Sequence, residues 1–108
     1  MNEEIMNVIR TFVKERDWEK FHTGENLAKS ICIESGELLE LFQWEPEPKS
    51  MERVKEEIAD VLIYALMFCD HYGIDPEKAI LEKEKKNAEK YPVSLCKGSA
   101  EKYDELKK

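Results

Sequence analysis

Apolar residues recur at three- and four-residue spacing along most of this chain, and no stretch alternates apolar with polar over a useful length. That pattern predicts helices and argues against a sheet. The first helix is expected over 3–16, with Asn2 as its cap and Ile5, Ile9, Phe12 and Val13 as its core face. From Asp17 to Gly24 the period breaks, as in a connection. A second helix is expected over 25–42, its stripe made by Leu27, Ile31, Leu38 and Leu41. Trp44-Glu-Pro-Glu-Pro-Lys49 ends it, because two prolines cannot continue a helix. Ser50 then caps a third helix that runs to about Tyr72, with Gly73 in the stop position. Asp75-Pro76-Glu77 opens a fourth, which ends before Tyr91-Pro92. Residues 93–108 read as an irregular or weakly helical tail. The expected fold is all-α, a four-helix bundle in a single domain over 1–108.

The third helix is apolar nearly all round after Ile58: Leu62, Ile63, Ala65, Leu66, Met67, Phe68 and Cys69 cover most directions. Such a helix needs cover on every side, and three partners of this length are too few. An oligomer is therefore expected, a homodimer or homotetramer, and Ala28, Cys32 and Leu39 give helix two a second apolar side that fits it. The net charge of −7 argues against a nucleic-acid polymer as partner, since counterion release needs a basic surface. The apolar run Ile58–Cys69 is too short for a membrane span. Three cysteines without a CxxC or Cys/His spacing read as reduced thiols. With an acidic Met-Asn-Glu-Glu start, where a signal peptide would be basic, the expected location is the cytoplasm.

Against this background four carboxylates stand out. Glu34-Ser-Gly-Glu37 and Glu57-Ile-Ala-Asp60 lie one pair per helix, with nineteen residues between them. Residues three apart on a helix are surface neighbours, roughly 5–6 Å between Cβ atoms. At a turn of about 100° per residue, Glu34 falls within the stripe of Leu27, Ile31, Leu38 and Leu41. Glu57 and Asp60 share a face with Tyr64, Met67 and Phe68. A carboxylate among apolar side chains must be protonated, paired or bound to metal. Oxygen ligands without histidine or thiolate favour magnesium, with manganese as a possible substitute, or calcium. The Glu-x-x-His pairs of a di-iron bundle are absent, as is an EF-hand loop. Magnesium would also let so acidic a protein receive a polyphosphate. The competing explanation is an ion-pair network with Lys29, Arg53 or Lys83.

Weaker signals surround these. Lys83 and Asn87 share a helical face ahead of Tyr91 and could hold phosphate and ribose oxygens, though solvated surface is the commoner fate of such residues. Trp18, Phe21 and Trp44 lie at helix junctions, where flat rings either sandwich a base or anchor loops. His22 could meet a base edge or a loop carbonyl.

The order Glu-x-x-Glu, spacer, Glu-x-x-Asp resembles the all-α nucleoside triphosphate pyrophosphohydrolases of the MazG-like superfamily. Phe12-Val-Lys-Glu-Arg-Asp-Trp-Glu-Lys-Phe-His22, Gly36-Glu-Leu-Leu-Glu-Leu-Phe-Gln-Trp44, Ala59-Asp-Val-Leu-Ile-Tyr64 and Lys86-Asn-Ala-Glu-Lys-Tyr-Pro92 are similar to its dCTP pyrophosphatase-like branch, as is Lys102-Tyr103. Cys32-Ile33 stands before Glu34 where the branch often has Val-Gly. The resemblance implies a helical bundle whose sites are completed across subunits. It implies magnesium-dependent hydrolysis of a nucleoside triphosphate between its α and β phosphates, with dCTP or a modified dCTP as substrate. Glu34, Glu37, Glu57 and Asp60 would be the metal ligands, with Glu34 or Glu37 as general base. Trp18, His22, Trp44 and Tyr64 would shape the nucleoside pocket. Lys83 and Asn87 would contact phosphates and sugar, and Tyr91 and Lys102 complete the substrate-binding set. Alternatives are a dUTP or broad-specificity pyrophosphohydrolase and, in another class, a non-catalytic magnesium-nucleotide sensor or helical interaction module.

Overall fold

A computed structural model describes residues 2–98. The described residues are helical, in the order α1 (Glu3–Glu15), a 3-10 turn (Glu19–Phe21), α2 (Gly24–Glu40), α3 (Met51–His71), α4 (Pro76–Lys90) and α5 (Val93–Cys96). Five α-helices thus stand where four were expected. The fifth is a single turn started by Pro92, whose ring presets the backbone, and four residues are too few to carry a hydrophobic period. Two compact units divide the chain, one ending at Asp75 and the other beginning at Pro76.

In the first unit, α1 and α2 both pack on α3. Met6, Ile9 and Leu66 form the buried cluster, with Ile63 and Met67 packed against it. Val13 and Leu27 are buried as well. The core stripe of α1 is therefore Met6, Ile9 and Val13, not the expected Ile5, Ile9, Phe12 and Val13. Ile5 and Phe12 are 45% and 43% exposed, because the helix is rolled on α3 so that Met6 points inward. Helix α2 starts one residue earlier than expected and ends two earlier, at Glu40.

Each of these three helices has a side-chain cap. Asn2 accepts from the Glu4 N–H at 2.7 Å, Thr23 from Asn26 at 3.1 Å, and Ser50 from Arg53 at 3.3 Å. Two of the C-termini close alike. After α3, Gly73 adopts a φ of 66°, and the Gly73 and Ile74 N–H groups donate back to Asp70 and Cys69. After α1, Asp17 adopts a φ of 55°, and the Asp17 and Trp18 N–H groups donate to Lys14 and Val13. A glycine serves the first turn; an aspartate serves the second.

Long-range ties fix the C-terminal end of α3. The Arg10 guanidinium forks onto Asp70, with Nη2 to Oδ1 at 2.7 Å and Nε to Oδ2 at 3.2 Å, and its other arm reaches Glu3 at 3.0 Å. Gly24 abuts Tyr72 so closely that an added Cβ would overlap the phenol ring. No helix among the described residues is long and apolar enough to cross a membrane. In the second unit, α4 and α5 carry no buried residue.

Candidate functional site

Glu34 and Glu37 lie on α2, and Glu57 and Asp60 on α3. Packing of α2 on α3 brings Glu34, Glu37 and Glu57 together, each offering one carboxylate oxygen within 4.8 Å of the others. Glu34 and Glu57 are half-buried and Glu37 is exposed. Glu34 Oε2 and Glu57 Oε2 are sealed from solvent and have no hydrogen-bond partner. An ionised carboxylate can only accept, so three of them facing one another leave lone pairs that only a proton or a cation can satisfy.

The electrostatics agree with that geometry. Desolvation, then a hydrogen bond with Glu37 and the charges of Glu37, Asp60 and Glu57, push the Glu34 carboxyl up to about 7. Desolvation likewise raises Glu57, helped by Glu37 and Asp60 and opposed by Arg53. Asp60 stands outside the tight group but close enough for its charge to act on both glutamates. The ion-pair explanation loses one partner, since Lys29 Nζ binds Glu25 at 2.8 Å, one turn back on its own helix. A divalent cation fits this donor set: hard oxygens, two of them buried without donors, at a spacing that one ion spans.

Asp60 links the acidic group to a cavity of about 410 Å³. Trp18, His22 and Tyr64, three of the residues expected to shape a nucleoside pocket, line it together with Asp60. Val8, Ile9 and Phe12 of α1 complete one wall, and Ile63 and Met67 of α3 the other. The α1 wall was missed by sequence reasoning. Its signal was present: Val8 and Phe12 lie four residues apart, beside the stripe that Met6, Ile9 and Val13 bury, so they share a face left open by the core.

Trp44 stands apart from this cavity. It is 86% exposed and borders a smaller hollow of about 240 Å³ with Glu40, Pro48 and Arg53. Another cavity of about 410 Å³ lies behind Ile9, His22 and Met67, bordered by Lys14, Asp70 and His71. It holds none of the four carboxylates and so is not the metal cavity. In the second unit, Lys83 and Asn87 are one turn apart on α4; Asn87 is half-buried and donates to Glu84 Oε1 at 2.9 Å. The Tyr91 N–H donates to the Asn87 carbonyl at 2.8 Å. Lys102 and Tyr103 lie outside the described residues.

The chain is 41% identical to dCTP pyrophosphatase 1 of Rattus norvegicus over 113 residues, covering 96% of this chain and 66% of the rat protein. It is 37% identical to dCTP pyrophosphatase 1 of Homo sapiens over the same length, with 96% and 66% covered. The chain thus spans just under two thirds of the length of these curated relatives. A crystal structure of a pyrophosphatase from Archaeoglobus fulgidus matches with a TM-score of 0.74 and 46% identity, covering 83% of this chain and 91% of that one. Residues 29–106 match the MazG-like family, a span that takes in all four carboxylates and runs into both units. On that match the chain belongs to the MazG-like family.

Proposed function

We propose that this protein hydrolyses a nucleoside triphosphate, dCTP or a modified dCTP first, to the monophosphate and pyrophosphate. The observation that carries this reading is the convergence of three carboxylates from two helices, two of them with a buried oxygen that has no hydrogen-bond partner, beside a cavity walled by rings and by Asp60. The names of the relatives point to the same chemistry, and to cytosine as the base.

Glu34, Glu37 and Glu57 would hold the divalent cation, magnesium by preference and manganese as a substitute, with Asp60 as a further ligand or anchor on the cavity side. When bound, such an ion neutralises phosphate charge and the charge that develops on departing pyrophosphate. The chain's own groups do the rest. Trp18 and Tyr64 hold the base against the apolar walls, and His22 offers a ring nitrogen to its polar edge. Glu34 or Glu37 takes a proton from water as its oxygen bonds to phosphorus; the anhydride P–O bond breaks, and pyrophosphate leaves with the electron pair. Lys83, Asn87, Tyr91 and Lys102 are assigned to the phosphates and sugar.

The working form is a homodimer or homotetramer. Ile33, Leu39 and Leu62 are 61%, 70% and 53% exposed on α2 and α3, which a lone protomer leaves in water. In such an assembly Trp44 of one protomer would serve a partner's cavity, as its distance from Trp18's own cavity suggests. The test is to incubate the protein with magnesium and each deoxy- and ribonucleoside triphosphate and to separate products by ion exchange. Monophosphate with pyrophosphate, lost on Glu57→Gln, supports the proposal. Intact triphosphate throughout, with magnesium and manganese both tried, refutes it.

A further inference from the structure

Between the last turn of α1 and the 3-10 turn lies a short assembly that the acidic site does not explain. Arg16 lays its guanidinium over the Phe12 ring, 3.7 Å from the centroid, and its Nη1 donates to the Phe12 carbonyl at 3.0 Å. Phe12 in turn meets Trp18 edge to face, centroids 5.7 Å apart and planes at 75°. Both rings line the cavity, and both are more than two fifths exposed, so neither is held by burial. What holds them is the stack and the backbone beneath it.

That backbone is strained. Asp17 takes the left-handed conformation at φ 55°, the only residue other than glycine to do so among the described residues. The corresponding turn after α3 uses Gly73. An L side chain is disfavoured in this region, aspartate less than most, and such strain gathers where a side chain must be aimed. Here the residue aimed is Trp18, whose N–H is pinned to the Val13 carbonyl at 3.1 Å. Aspartate also restricts the turn far more than glycine would. Lys20 holds the Asp17 carboxylate at 3.1 Å.

We infer that Arg16 and Asp17 are positioning residues for the base-binding wall: the Arg16–Phe12–Trp18 stack and the left-handed turn set the Trp18 ring at the distance from Tyr64 that grips a nucleobase. The inference rests on the pyrophosphohydrolase reading and adds to it two residues that touch neither phosphate nor metal. Neither Arg16 nor Asp17 lines the cavity; both act through Trp18.

Steady-state kinetics of the full chain with magnesium and its preferred triphosphate test this. Arg16→Ala should raise KM about twofold to fivefold, the worth of a ring–cation contact at a partly exposed site, with kcat within about twofold. Arg16→Lys, which keeps a cation over the ring, should restore most of the affinity. Asp17→Gly should leave the thermal midpoint unchanged or higher, because strain is relieved, and still raise KM because Trp18 is freed. A purely structural role predicts the reverse, lower midpoints with an unchanged KM, and that result overturns the inference. So does an unchanged KM in Asp17→Gly should Arg16→Ala fail to fold. No turnover of any triphosphate by the unsubstituted protein refutes the pyrophosphohydrolase reading itself, which the other outcomes leave standing.

Discussion

Replacing Glu34 by glutamine should kill activity and yet stabilise the metal-free protein above neutral pH. Glu34 meets two other carboxylates in a half-buried group, and its carboxyl is raised from 4.5 to about 7. A group with a higher pKa folded than unfolded binds more protons when folded, so its stabilising contribution is complete below about 4.5 and lost as pH climbs to about 7. The steepest slope one proton gives is about 1.4 kcal/mol per pH unit. Glu34 is partly solvated, so the loss across this window is discounted to about 1–2 kcal/mol. In a domain of this size that is roughly 5–10 °C in Tm. The assay is thermal unfolding in EDTA from pH 4.5 to 8.5, read as the difference between wild type and Glu34→Gln so that other titrating groups cancel. The difference should be small at pH 4.5, grow in favour of the variant to pH 7, and level off. With magnesium the order should invert at pH 8, because a ligand that binds only the folded wild type stabilises it by mass action. A variant less stable than wild type at pH 8 in EDTA, or a difference that does not change with pH, would refute the reasoning.

Other perturbations probe the site and its frame. Glu37→Gln should lower kcat at least about a hundredfold at saturating magnesium, since it removes the carboxylate shared by its two neighbours; product release by ion exchange measures this. Gly24→Ala should cost at most about 1 kcal/mol in urea unfolding, because its methyl would overlap the phenol end of Tyr72, an exposed side chain that can swing aside. Leu27→Ala, at the most deeply buried large side chain among the described residues, should cost about 2–5 kcal/mol in the same assay without changing KM for the triphosphate.

Helix limits and caps were legible because their causes are local. Asn2, Ser50 and Gly73 each act within a few residues, and Pro76 opens α4; the end of α2 was placed two residues late, because the helix stops at Glu40 ahead of Pro46 and Pro48. The 3-10 turn and α5 escaped because three or four residues make only about one turn, too few for a period to repeat. Met6 was overlooked because Ile5 and Phe12 offered an equally good stripe one step round α1, and only contact with α3 chose between them. The carboxylate pairs could be placed on apolar faces from spacing alone. That Glu34, Glu37 and Glu57 would meet while Asp60 turned to the cavity could not.

Sequence by itself therefore determined the four long helices, their limits to within about two residues, and that each of two helices carries an acidic pair on its apolar side. Tertiary structure decided which oxygens face one another, which face of α1 walls the cavity, and that Trp18 lines it while Trp44 does not. The division has a physical reason. Hydrogen bonding, capping and periodicity act over four or fewer residues, whereas Glu37 and Glu57 are brought within 4.8 Å only by packing of α2 against α3.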